Sequence, residues 1–185
     1  MRLLSRRYDE IKRVVAALYK KYHIKQYPID AFSLCKKMGI TLVPYTSLPL
    51  KERIRAYAAS PDGFFAEYEE NGTIVWAIFY NDTMMPERIR FTILHEIGHI
   101  VLEHMEHSDV AEAEANFFAK YAIAPPPIVH LFKPEDPYDI METFGLSFEC
   151  AWYVMKYYKK WYQYHKNDNP DYELIIVSLY ASVIS

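Results

Sequence analysis

The segment that follows Pro86 restricts the fold more than any other part of this sequence. Apolar residues recur there at every third or fourth position as far as Leu102, which predicts an amphipathic helix that begins at the proline. His95 and His99 are four positions apart, about 40° in projection, so both imidazoles lie on one face with Glu96 beside them. Two imidazoles at this spacing can bind one metal ion, and the neighbouring carboxylate can act as a base.

Two histidines on a half-buried helix can also be ordinary core residues, because short motifs occur by chance. The surrounding residues favour the metal. Leu94, Ile97 and Val101 give the helix a buried face, and Gly98 leaves room for close packing or for a substrate backbone.

A catalytic zinc usually has three protein ligands and one open position, so a further ligand is required. The next predicted helix carries Glu112 and Glu114, about 200° apart around its axis, and only one of them can face the imidazoles. Asn116 lies on the same face as Glu112 and could orient a ligand imidazole, whereas Glu114 shares its face with apolar residues. We therefore predict Glu112 as the third ligand. The alternative is a capping box with Asp109, in which Glu112 only satisfies a backbone N–H.

The remaining histidines are weaker candidates for metal ligands. His104 and His107 follow the motif closely, and we expect them to be solvated or to contact a ligand imidazole. His23, His130 and His165 have no potential ligand at useful spacing, so they are interpreted as surface or core residues.

The periodicity along the chain predicts an α+β fold, mainly helical, with a small antiparallel β-sheet beside the active-site helix. The segment between Pro49 and Asp82 is interpreted as extended, and Asn71-Gly72 predicts a hairpin turn. Tyr80 and Asn81 end the second hairpin strand, where an edge strand could pair with a peptide and the Tyr80 hydroxyl could support an oxyanion. The predicted helices are 8–22, 28–39, 86–102, 109–123, 138–144 and 147–162, and the predicted strands are 40–45, 63–68 and 73–80.

Composition excludes several other classes of protein. The 185 residues fit one compact domain or one domain with a small appendage, and the net charge of -3 provides no basic excess for nucleic acid. Cys35 and Cys150 are too few for a disulfide framework, so we expect a reducing cytoplasm. We also expect neither a signal peptide nor a transmembrane helix.

Three segments together resemble the ImmA/IrrE family of metallo-endopeptidases: residues 88–102, residues 112–119, and Ala124-Pro125-Pro126. The predicted upstream elements and the segment 144–147 match the layout of this family, so the resemblance extends to about residue 162. It implies a zincin-like metallopeptidase core over residues 1–130, with a C-terminal helical extension, residues 131–185, packed on that core. The tail after residue 162 has no counterpart that we can place.

The resemblance also implies a function. His95, His99 and Glu112 would bind Zn2+, and Glu96 would be the catalytic carboxylate of a zinc-dependent endopeptidase. The implied protein is cytoplasmic and bacterial or phage-encoded. Its substrate would be a protein, typically a helix-turn-helix transcriptional repressor whose cleavage derepresses phage, mobile-element or stress genes, with no direct contact to nucleic acid or membrane.

An alternative of a different class is a catalytically silent zincin-like regulator that binds a repressor, or that contacts DNA through the helices between residues 144 and 162. The intact Glu96 disfavours loss of catalysis, and the net acidity disfavours DNA binding.

Overall fold

The computed structural model describes residues 3–70, 72–104, 106, 108–165 and 170–184. A short 3-10 helix spans Tyr45–Ser47. The helices are α1 (Ser5–Tyr22), α2 (Ala31–Met38), α3 (Leu50–Ala59), α4 (Pro86–Val101), α5 (Asp109–Ile123), α6 (Pro126–Phe132), α7 (Pro137–Phe144), α8 (Phe148–His165) and α9 (Asp171–Ile184), and the strands are β1 (Thr41–Pro44), β2 (Gly63–Glu70) and β3 (Thr73–Tyr80). The predicted α+β, mainly helical class is confirmed.

The three strands form one mixed sheet in the order β1-β3-β2. The predicted hairpin is present, because β2 and β3 pair antiparallel with Glu70 opposite Thr73, and Gly72 has a φ of 76°. Asn71 lies outside the described residues. The sheet is mixed and not wholly antiparallel, because β1 pairs with β3 in parallel, with Thr41 opposite Ala77. No partner was predicted for β1, since periodicity within a strand does not specify its neighbour.

Two helices depart from the sequence-based expectation. α3 lies in the segment interpreted as extended, although Leu50, Ile54 and Tyr57 recur in it at helical spacing. These apolar side chains are exposed in the structure, and Ala56 is the buried residue of the helix. Pro126 was expected only to end the preceding helix, yet it is the first residue of α6. Proline is tolerated there because the first turn of a helix does not use its backbone N–H groups.

The chain forms two compact units, one made mainly of residues 30–119 and the other of residues 4–29 and 120–185. This grouping differs from the boundary expected at residue 130. The difference arises because α1 packs on α9, where Arg13 Nη1 lies 2.9 Å from Asp171 Oδ1. The functional division into a peptidase core and an extension stays a prediction.

Within the second unit, α9 is anchored by a buried carboxylate. Glu173 has no exposed surface and accepts hydrogen bonds from the Trp161 indole N–H, at 3.0 and 3.1 Å. The tail that had no counterpart is therefore an integral helix of this unit. Among the helices that the structure describes, none combines the length and the apolar character needed to cross a bilayer.

Within the first unit, α4 packs against β2, β3 and α2, with Ile93, Leu94 and Ile97 fully buried. α4 also contacts α5, and this contact is unusually close. A Cβ atom at Gly98 would lie 3.0 Å from Phe118 Cδ1. The glycine therefore provides close helix packing, one of the two roles expected for it.

We expect Gly98→Ala to lower the free energy of unfolding by about 1 kcal/mol, measured by urea denaturation. Alanine ordinarily favours a helix interior over glycine by about 1 kcal/mol. Here the added methyl group meets the buried Phe118 ring, and overpacking of this kind costs about 1–3 kcal/mol. Adding Phe118→Leu should cost less in the Gly98→Ala background than in the wild type, because the ring edge is gone. Strictly additive losses would contradict this explanation.

Candidate metal centre

His95 and His99 present their Nε2 atoms to each other across one turn of α4, 3.0 Å apart. Glu112 faces both of them from α5, with Oε2 3.4 Å from His95 Nε2 and Oε1 3.3 Å from His99 Nε2. One ligand atom from each residue fits within a group no wider than 4.8 Å. Ligands of a tetrahedral zinc with Zn–N bonds of about 2.0 Å lie about 3.3 Å from one another, so these separations suit such an ion.

The start of α5 determines which way Glu112 points. The Ser108 hydroxyl accepts a hydrogen bond from Ala111 N at 3.1 Å, and the Ser108 carbonyl accepts one from Glu112 N at 3.0 Å. Ser108 thus takes the capping role, and Asp109 is the first residue inside the helix. The capping box between Asp109 and Glu112, which was the alternative for Glu112, is not the arrangement in the structure.

The protein environment suits a metal with two nitrogen ligands and one oxygen ligand. The pKa of His95 lies below its ordinary value, because burial lowers it more than the adjacent Glu112 carboxylate and Asn116 amide raise it. A lowered pKa favours the neutral imidazole that binds metals. The His99 side chain is only 4% exposed, whereas the Glu112 side chain is 47% exposed. The cluster is therefore accessible to solvent from the Glu112 side. The structure brings the three predicted ligands together.

Glu96 is buried next to this cluster, against strand β2. Its Oε2 accepts a hydrogen bond from Phe65 N at 3.0 Å. Burial raises the pKa of Glu96 to about 7, and the Phe65 N–H opposes this rise by stabilising the carboxylate. Gly63 permits the close approach of β2, because a Cβ atom there would lie 2.6 Å from Thr92 Cγ2 of α4.

Sequence reasoning missed the partner of Glu114. The Glu114 side chain is 8% exposed, and its Oε2 lies 3.0 Å from His104 Nε2. His104 is not solvated, since its side chain is 10% exposed, and its Nδ1 lies 3.0 Å from His99 Nδ1. The available signal was a glutamate on an apolar helix face, because a buried carboxylate requires a partner. His107 lies outside the described residues.

Asn116 lies beside a cluster imidazole, as expected, whereas the residues at the end of β3 have other surroundings than expected. Asn116 lies near His95, and its Nδ2 donates to the Glu112 backbone carbonyl at 2.7 Å. Tyr80 ends the central strand of the sheet, so the expectation of an edge strand there was wrong. The side chain of Asn81 donates to the Pro61 carbonyl and accepts from Thr83 N, which is a structural role in a turn.

Comparison with curated proteins finds no match to the chain. The model of the Peptidase_M78 family, described as the IrrE N-terminal-like domain, matches residues 36–155, about two thirds of the chain. The match includes α4, α5 and every residue of the cluster, and it confirms the resemblance that the sequence motifs indicated. The chain therefore belongs to the Peptidase_M78 family of metallopeptidases, through an IrrE N-terminal-like domain.

Proposed function

We propose that the protein is a zinc-dependent endopeptidase. The observation that carries this proposal is the convergence of His95 Nε2, His99 Nε2 and the Glu112 carboxylate beside the buried carboxylate of Glu96. Membership in a metallopeptidase family supports the same conclusion.

His95, His99 and Glu112 would hold the ion, which leaves one position of a tetrahedral site open. When bound, zinc supplies a Lewis acid that polarises a scissile carbonyl and makes water acidic enough to lose a proton near neutral pH. The ligand set suits zinc, because it combines two imidazoles with one carboxylate.

Glu96 acts as the general base and acid in this proposal. Its carboxylate accepts a proton from the attacking water and then donates this proton to the leaving amine. Glu96 is therefore a carboxylate again when the reaction ends. The hydrogen bond from Phe65 N holds Oε2 in place, which leaves Oε1 to approach the water. A pKa of about 7 suits both steps, because a base works best when its pKa is near the working pH.

We further propose that the substrate is a protein, bound as an extended strand. β2 pairs with β3 along one edge, and at its other edge the N–H of Phe65 points to Glu96. An extended segment that pairs with this outer edge would lie next to the cluster, since main-chain hydrogen bonds align a peptide along a strand.

The identity of the substrate is proposed from the resemblance to ImmA/IrrE proteins. We propose a helix-turn-helix repressor, cleaved in the cytoplasm to derepress phage, mobile-element or stress genes. A net charge of -3 supports a protein substrate over nucleic acid. Incubation of the zinc-loaded protein with a repressor encoded beside it, followed by mass spectrometry of the fragments, tests this assignment directly.

The metal site is tested by His95→Ala and His99→Ala. We expect about one zinc per chain in the wild type and loss of that zinc in both variants, because each removes one of three protein ligands. His130→Ala is the matched control, since its imidazole contacts Tyr158 instead of the cluster. Elemental analysis of the purified proteins provides the measurement. Stoichiometric zinc in both cluster variants would refute the site.

Glu96→Gln separates catalysis from binding. The amide keeps the size of the side chain but cannot take a proton, so we expect cleavage to fall by about 10²-fold or more while zinc content persists. Glu87→Gln, at the start of the same helix, should cleave like the wild type. Equal cleavage by the wild type and Glu96→Gln would exclude this base. Equal repressor binding with no cleavage by either protein would instead favour the silent regulator.

Glu112→Gln tests the third ligand. A neutral amide is a poor zinc ligand, so zinc affinity should fall severely, whereas Asp109→Asn on the first turn of the same helix should leave it unchanged. Zinc titrations of both variants, run beside their melting curves, provide the measurement. If Glu112→Gln lowers the melting temperature but binds zinc like the wild type, Glu112 has only a structural role.

A further inference from the structure

The end of α4 folds the chain back onto one of its own histidines. Glu103 adopts a left-handed conformation with a φ of 56°, and its N–H donates to the Ile100 carbonyl at 3.2 Å. The next N–H, that of His104, donates to the His99 carbonyl at 3.0 Å. These two bonds form a Schellman motif, which brings the second residue after the helix cap against the third residue before it. The motif usually joins two apolar side chains, but here it joins two imidazoles.

The side chains continue this contact into a buried chain of hydrogen bonds. His99 Nδ1 lies 3.0 Å from His104 Nδ1, and His104 Nε2 lies 3.0 Å from Glu114 Oε2. All three side chains are at most 10% exposed. In contrast, the buried Nδ1 of His95 has no hydrogen-bond partner among the described residues. His99 is therefore held through its far nitrogen by the side chain of His104.

The chemistry of these groups determines the direction of the chain of hydrogen bonds. A carboxylate only accepts, so Glu114 requires a proton on His104 Nε2. In a neutral imidazole the other nitrogen, Nδ1, then carries a lone pair and accepts from His99 Nδ1–H. His99 consequently has its proton on Nδ1 and a lone pair on Nε2, the atom that faces His95 and Glu112.

We propose that His104 and Glu114 are positioning residues that select the metal-binding tautomer and the ring orientation of His99. The pair acts through hydrogen bonds alone, without any change of protonation, and neither residue touches the metal or the substrate. This inference rests on the proposed function in one respect, because it requires His99 to be a metal ligand.

Zinc affinity, measured by competition with a chromogenic chelator, tests the role of His104. We expect His104→Leu to raise the zinc dissociation constant by about 10- to 100-fold, because His99 Nδ1–H loses its acceptor. In His104→Asn the short side-chain amide places an oxygen near the former Nδ1, so this variant should retain most of the affinity. Asp109→Asn, which removes an exposed carboxylate from the same helix as Glu114, is the control and should bind zinc like the wild type.

The tautomers are read by nitrogen-15 NMR of the histidine rings in the zinc-loaded protein. In the wild type we expect His104 to be protonated on Nε2 and unprotonated on Nδ1. In Glu114→Gln the amide can accept or donate, so His104 should populate both tautomers and zinc should bind less tightly than in the wild type. If the contact between His104 and Glu114 were purely structural, the tautomer of His104 would not change in Glu114→Gln. Melting curves confirm that each variant is folded.

Three outcomes would overturn the inference: His104 protonated on Nδ1 in the wild type, undiminished zinc affinity in His104→Leu, or equal losses of affinity in His104→Leu and His104→Asn. None of these readouts depends on peptide cleavage. A protein that shows the expected zinc and NMR results but cleaves nothing would refute the endopeptidase and leave the positioning role intact. If the wild type cleaves its substrate and His104→Leu keeps its zinc, the positioning role is refuted and the endopeptidase stands.

Discussion

The close contact of α4 and α5 at Gly98 is the constraint on which the cluster depends. The two imidazoles belong to α4 and the facing carboxylate belongs to α5, so their separation is set by how near the helices approach. Because Gly98 has no side chain, the ring of Phe118 and the backbone of Ala115 come within 3.0 and 3.3 Å of the position where a Cβ atom would stand. That approach leaves Glu112 within 3.4 Å of both Nε2 atoms. A tight core contact is thereby a condition for the geometry of the cluster.

The ends of the same two helices refine this arrangement. Ser108 caps α5 and immediately precedes its first residue, Asp109. This start of the helix sets the rotation of Glu112 toward the imidazoles. The left-handed residue after α4, Glu103, turns His104 back toward His99. Helix caps usually serve to satisfy backbone groups, but at this site they also determine where ionisable side chains lie.

Burial is distributed unevenly over the site, and this difference has chemical consequences. Glu96 is buried against β2, so its carboxyl is held by a backbone N–H and its pKa rises to about 7. Glu114 is buried too, and it requires the imidazole of His104 as a partner. Glu112 is half exposed, so the cluster stays accessible on that side. One unit of the chain thus combines a protected carboxyl group with a cluster that is open to solvent on one side.

The sequence by itself was sufficient for several features that depend on the local helical or strand repeat, although α3 and α6 were not among them. The spacing of His95 and His99, the placement of Glu112 on the face toward the imidazoles and the β2–β3 hairpin follow from about 100° per residue in a helix and from turn chemistry. The tertiary structure alone decided which distant segments meet: the parallel pairing of β1, the packing of α1 on α9, and the contact of Glu114 with His104. The physical reason is that a local repeat specifies which face of an element is buried, while the partner of that face is chosen by packing between residues far apart in the chain.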